Sequence, residues 1–396
     1  MMNNKVDRWL LPDGIEEVLP EQALYLESLR RRFVDLFIRW GYDYVIPPMI
    51  EFTDSLLTGS GQDIELLTFK LTDQLSGRTL GLRADITPQA ARMDAHSLKR
   101  SGVNRLCYAG HVLQTKAKSP LGSRSPIKVG VEMFGVSALE AEVEVVSLLL
   151  EALTVANLDC QYIDLGHVGI FRCLARAAEL NTEQESALFS LLQSKAFSDI
   201  DRWLNENVKD EQARQWLSAL SKLSGSDKII ELAREAFADA PSEIHAALDD
   251  LATLADTVLA RYPNVQLYFD LSELRGYHYH TGIVFGAFAP GVGNAIARGG
   301  RYDSVGEAFG RARSATGFDI NLSAICRLQR HECSPPDKGI FACHEAGEAL
   351  WQKVQELRAQ GERVVMGVPG QAMPEDYQHC DRILCVENDQ VLLKNM

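Results

Sequence analysis

Leu274-Arg275-Gly276-Tyr277-His278-Tyr279-His280-Thr281-Gly282-Ile283-Val284-Phe285 packs a guanidinium, phenols, imidazoles and a hydroxyl into one short run that ends in apolar residues. Its alternation predicts a strand after Gly276, with Tyr277, Tyr279 and Thr281 on one face and His278, His280 and Gly282 on the other. Burying so many polar groups without partners is costly, so one face is expected to be lined for a small polar ligand. Paired metal ligands at His278 and His280 are an alternative, but no third ligand lies at diagnostic spacing. A solvated edge strand is another. The flanking glycines and the Ile283-Val284-Phe285 run favour a sheet interior that a ligand approaches.

Working outward, 396 residues are enough for two or three domains with buried cores. The composition, 46% hydrophobic and 24% charged, is that of an ordinary soluble protein, and no apolar run approaches the length of a membrane span. Met1-Met2-Asn3-Asn4-Lys5 leads into no hydrophobic signal core, so a cytoplasmic location and no membrane contact are expected. The eight cysteines form no CxxC pair and read as free thiols. Cys343-His344 and His379-Cys380 with Cys385 read as packed or surface residues before they read as a metal cluster. A net charge of −14 repels polyphosphate, so no nucleic-acid partner is expected. Arg30-Arg31-Arg32 reads as the solvated face of an amphipathic helix.

Apolar residues at helical spacing, Leu26, Leu29, Phe33, Leu36, Phe37 and Trp40, predict a helix that follows Pro20 and stops at Gly41. A strand is expected over 42–46, ended by Pro47-Pro48. Strand and helix should meet at Arg83-Ala84-Asp85-Ile86-Thr87-Pro88. Segments 105–113 and 128–134 read as an antiparallel hairpin with a long loop. Within the second, Glu132 stands among Val129, Val131, Met133 and Phe134, and a carboxylate in a run of buried character needs a partner. The fold class is therefore α+β: a sheet-forming core over 1–166 and 264–333, a helical insertion over 167–263, and a small α/β module over 337–396 that follows Pro335-Pro336. Gly291-Val292-Gly293 lacks the spacing of a dinucleotide loop.

These segments, in this order, resemble the class-II aminoacyl-tRNA synthetases, and histidyl-tRNA synthetase in particular, over most of the chain. The resemblance implies an antiparallel sheet flanked by helices. It also implies that the helix, strand and Pro47-Pro48 form a dimer interface. Leu82-Arg83-Ala84-Asp85-Ile86-Thr87-Pro88 resembles the segment that holds an amino-acid α-ammonium, with Asp85 where the family usually has glutamate. Gly130-Val131-Glu132-Met133-Phe134-Gly135 resembles the strand whose acid meets the substrate imidazole. The stretch at 274–285 resembles the histidine-specific signature, with Arg275 in the arginine position and Tyr279 as its first tyrosine. Gly299-Gly300-Arg301-Tyr302-Asp303 resembles the segment that closes the same pocket.

The departures fall on the chemistry of adenylation. The family holds ATP phosphates with two arginines. Here His111-Val112-Leu113-Gln114 stands where the first belongs, and Ser323-Ala324 where glutamate and the second belong. Losing one preorganised charge stabiliser costs about two to three orders of magnitude in rate, so losing two is expected to abolish the step. A histidine pocket without an ATP pocket resembles the family's non-catalytic branch, the regulatory subunits of short-form ATP phosphoribosyltransferase. That resemblance implies a catalytic-subunit partner, L-histidine as ligand, a homodimer within a hetero-octamer, no cofactor, and feedback inhibition of histidine biosynthesis. It gives Asp85 and Thr87 to the α-ammonium, Arg275 to the carboxylate, and Glu132, Tyr279 and Tyr302 to the imidazole. Lys128 replaces a glutamine near the ammonium and must either turn outward or weaken binding; His280 replaces the second tyrosine. A diverged synthetase that recruits Arg124, Arg301 or Arg311 for phosphate is the alternative, and a histidine- or tRNA-binding regulatory domain of another system is a third.

Overall fold

The computed structural model describes residues 9–59, 61–117, 122–158, 162–274, 276–277, 279–290, 293–329, 339–344, 347–368, 379–387 and 390–396. Arg275, His278, Gly291-Val292 and the Pro335-Pro336 linker lie outside the described residues. The chain divides into two compact units, 1–17 with 26–327, and 18–25 with 328–396.

The larger unit is built on a nine-stranded sheet. Its order is Asp43–Tyr44, Asn104–His111, Ile127–Phe134, Ala315–Asn321, Ala297–Arg301, Ile283–Phe288, Tyr162–His167, Gln266–Asp270 and Ser224–Gly225. The pairings from Asn104–His111 to Tyr162–His167 are all antiparallel. Every residue of Ile127–Phe134 is buried, the strand lying between its hairpin partner and Ala315–Asn321.

Helix Pro20–Arg39 lays Leu29, Phe33 and Phe37 against one face of this sheet, where Phe37 meets the Phe318 ring edge-on at 5.8 Å. It ends as its sequence predicts. Gly41 takes the left-handed conformation (φ 85°), the Gly41 N–H donates to Ile38 O and the Tyr42 N–H to Phe37 O, the paired bonds of a Schellman cap. The strand expected over 42–46 is only Asp43–Tyr44, since the prolines that follow cannot extend a ladder.

Six helices run from Val168–Ala177 to Ser242–Arg261, and the segment belongs to the same compact unit as the sheet. Ser224–Gly225, inside it, pairs with Gln266–Asp270 at the sheet edge. Helix Thr182–Gln193 opens with a capping box between Asn181 and Gln184.

The smaller unit holds a four-stranded sheet in which Ile340–Ala342 runs parallel to both Val364–Met366 and Arg382–Glu387, and Gln390–Asn395 completes the edge. Helix Glu348–Ala359 buries Leu350, Val354 and Leu357 on it. Among the described residues no helix is long and apolar enough to cross a membrane.

Candidate ligand-binding site

The open face of the large sheet is a trough cut by glycines. Gly130, Gly317, Gly300, Gly286 and Gly166 stand on five neighbouring strands, and strand register puts them on one face beside Glu132, Asp319, Arg298 and Asp164. Two of them make room for specific groups. A Cβ at Gly317 would fall 2.0 Å from Glu132 Oε2, and one at Gly130 would fall 2.6 Å from the Tyr108 hydroxyl. Over this trough lies a cavity of about 340 Å³, a size suited to a small metabolite.

Glu132 lies at the cavity floor and is 1% exposed. Its carboxyl accepts hydrogen bonds from Tyr302 at 2.5 Å and from Tyr108 at 3.2 Å. Burial pushes it up to about 8, against the pull of hydrogen bonds from Tyr302, Thr87 and Tyr108. Burial also holds the Tyr108, Tyr279 and Tyr302 phenols well above their usual range, so they remain donors. The Tyr279 ring stacks on Tyr302 at 4.8 Å, and its buried hydroxyl has no hydrogen-bond partner among the described residues.

The other polar end of the cavity is acidic. Asp85, held by the Ile86 N–H at 2.7 Å, and Asp319 both line it. Lys128 points toward them rather than to solvent, with Nζ 2.9 Å from Asp319 Oδ2 and 3.4 Å from Asp85 Oδ1. Burial disfavours its charge, but the two carboxylates more than reverse this and leave its pKa above the usual lysine range. Thr87 lines the cavity between the two ends, its hydroxyl 3.3 Å from that of Tyr108.

The stretch at 274–282 departs from the expected strand. Gly276 adopts φ 75°, and the N–H groups of Tyr279 and His280 both donate to its carbonyl, so the chain turns and the strand begins only at Ile283. Tyr277 and Tyr279 therefore do not share a face. Tyr279 and His280 line the cavity, and His280 is packed against Gly276 and Gly300, where a Cβ would lie within 2.8 Å of its ring. Tyr277 turns to the helical segment: it packs on Phe171 and Phe189, lies under the Arg172 guanidinium and donates to Glu185. Tyr277→Phe, which removes the hydrogen bond to Glu185, should cost about 1–2 kcal/mol in urea unfolding. A loss below a few tenths would show that Glu185 does not anchor the turn.

The arginines proposed to recruit ATP are engaged elsewhere. Arg301 makes a two-pronged pair with Glu142, with Nη2 to Oε2 at 2.7 Å, on the opposite face from Gly300. Arg311 donates to Arg100 O, and Arg124 to Gln114 O and Asp13 O. At the first position where the resemblance places arginine, Gln114 donates to Ala84 O; at the second stands Ala324, which has no side-chain donor, and Ser323 before it, in the glutamate position, accepts from the Ile127 N–H. Arg327 Nη2 lies 3.9 Å from Glu16. Arg298, Asp319, Tyr108, Asp164 and Glu273 were not selected from the sequence. Arg298, Asp319 and Tyr108 join the site through cross-strand register, which no local motif displays.

The antiparallel sheet, the buried acid with its tyrosines and the acidic end across the cavity define a class-II aminoacyl-tRNA synthetase-like protein. A family profile described as histidyl-tRNA synthetase matches residues 14–325. Histidyl-tRNA synthetase from Nostoc shares the fold with a TM-score of 0.79 at 18% identity, over 98% of this chain and 94% of that one. A Bacillus halodurans structure described as an ATP phosphoribosyltransferase regulatory subunit/histidyl-tRNA synthetase superposes with a TM-score of 0.84 at 25% identity, over 96% of this chain and 99% of that one. The particular branch follows from closer relatives. The ATP phosphoribosyltransferase regulatory subunits of Teredinibacter turnerae and Saccharophagus degradans are 63% and 58% identical, each over 98% of both chains. Residues 337–391 match the profile of the ATP phosphoribosyltransferase subunit HisZ C-terminal domain. The chain belongs to the family of ATP phosphoribosyltransferase regulatory subunits.

Proposed function

We propose that this chain is the non-catalytic regulatory subunit of a short-form ATP phosphoribosyltransferase, which activates a separate catalytic chain and binds L-histidine in the Glu132 cavity for feedback inhibition. The observation that carries the reading is an asymmetry. The cavity carries polar groups suited to both ends of an amino acid, while Gln114, tied to Ala84 O, and Ala324, with no polar side chain, stand where phosphate-binding arginines belong. Glu132 with Tyr302 and Tyr279 receives the imidazole, whose ring N–H matches a carboxyl acceptor. Asp85 and Thr87 receive the α-ammonium. Arg275, outside the described residues, is assigned the carboxylate on the family resemblance. Feedback then requires only that histidine bind one state of the complex better than another.

The test is phosphoribosyl-ATP formation by a short-form catalytic subunit alone, with this chain, and with this chain plus L-histidine. Stimulation that histidine suppresses is expected. No effect in either arm with an active matched partner would overturn the reading. The match of residues 14–325 to the histidyl-tRNA synthetase profile keeps a diverged synthetase as the second reading. Histidine-dependent ATP–pyrophosphate exchange would establish it, and its absence is expected here.

A further inference from the structure

We infer that Lys128 is the specificity-determining residue for the ammonium end of this cavity, setting how strongly the protein distinguishes an amino acid from the same molecule without its α-amino group. The inference rests on the reading of the cavity as an amino-acid pocket. It starts from placement: the side chains of Asp85 and Asp319 are about one-fifth exposed and line the cavity, whereas that of Lys128 is 7% exposed and does not. Its Nζ reaches both carboxylates, at 3.4 and 2.9 Å, so two of its three donors are spent on the groups a ligand's cation would seek.

The charge at this end follows directly. Arg298, the cross-strand neighbour of Asp319, is a cation on the cavity lining common to the chain and its variants. Within the cluster of Asp85, Asp319 and Lys128, two carboxylates and one ammonium leave a single net negative charge. A neutral side chain at 128 would leave two, and a glutamine would add an oxygen acceptor that lysine lacks. Lys128 also places a like charge within reach of any ammonium held by Asp85, in a water-poor setting where screening is weak. At the other end Glu132 takes its hydrogen bonds from Tyr108 and Tyr302. The effect of Lys128 is thus confined to ligands that carry the cation, and an imidazole acid without one serves as an internal control.

The experiment is calorimetric titration of the full chain with L-histidine and with 3-(imidazol-4-yl)propanoate, which differs by the missing α-amino group. Lys128→Gln should tighten histidine about tenfold and move the deamino analogue by less than about threefold. Asp319→Asn removes one of the two carboxylates and leaves Lys128 with Asp85 alone. It should weaken histidine by a similar factor and spare the analogue, so the two variants shift the same ratio in opposite directions. The Lys128→Gln ratio moving as expected supports the inference, Lys128→Met making the same comparison where the glutamine variant does not fold, and a Lys128 ratio that stays put overturns it whatever Asp319→Asn does. Both ligands changing in parallel, or a histidine affinity unmoved by either substitution, overturns it while leaving the histidine pocket in place. No histidine binding by the unaltered chain or either variant overturns the pocket and the inference together.

Discussion

Glu142→Ala should cost about 2–4 kcal/mol of folding stability, because the only carboxylate contact it leaves the largely buried Arg301 guanidinium among the described residues is the longer one, 3.4 Å, with the more exposed Asp303. The Glu142 side chain is 1% exposed and that of Arg301 12%. Burial pushes the Glu142 carboxyl above its usual range even with Arg301 bonded to it, a sign of how little water reaches the pair. Arg301 also donates to Val136 O at 3.0 Å, and its own carbonyl accepts from the Thr281 N–H at 2.8 Å. The pair thus ties helix Glu140–Val155 to the strand that carries Gly300 and to the turn that carries Tyr279 and His280. Urea unfolding at constant m-value measures the loss. The double variant Glu142→Ala/Arg301→Ala should be less destabilised than the sum of the two singles, since it leaves neither member of the buried pair without the other, and Asp303 is exposed enough to be solvated. Strict additivity, or a single-variant loss under about 1 kcal/mol, would make the pair an ordinary surface contact.

The pair also shows where sequence reading stops. Arg301, one of three arginines the synthetase alternative would recruit for phosphate, sits in the glycine-rich segment 299–303. Strand alternation then puts its side chain on the face away from Gly300, where a helix residue 159 positions earlier waits for it. Lys128 and Asp319 are similar: they lie 191 positions apart and meet only because Gly130 and Asp319 are in register across two antiparallel strands. What was legible was local. The hairpin, the Schellman-capped helix and an acid set in an apolar strand each carry their signal within a few residues. The stretch at 274–282 misled for the same reason. Its alternation is real, but Gly276 at φ 75° breaks the extended chain, and the period-two pattern distributes Tyr277 and Tyr279 to opposite tasks instead of one face.

The residue with the clearest sequence signal carries the remaining prediction. Glu132 is held at about 8 in the folded protein, whereas an exposed glutamate titrates near 4.5. As pH rises between those values the unfolded chain gives up this proton and the folded chain keeps it, so stability falls through the window and levels off above about 8. The ceiling is about 5 kcal/mol, and relaxation around the ionised carboxylate brings the expected change to about 2–3 kcal/mol. Glu132→Gln keeps the shape and removes the titration. Between pH 5 and 8.5 the unaltered chain should therefore lose about 2–3 kcal/mol more than the variant, and parallel profiles would mean the carboxyl is already ionised in its cavity. The same group bears on the ligand. Glu132→Ala should weaken histidine at least about tenfold, because the ring N–H loses its acceptor and the Tyr108 and Tyr302 hydroxyls lose theirs. An unchanged affinity would remove the imidazole from this end of the cavity. On the proposed reading the two effects are linked: a ring N–H bonded to the Glu132 carboxylate favours the ionised form that the empty cavity penalises, so bound histidine should return part of the stability lost as pH rises.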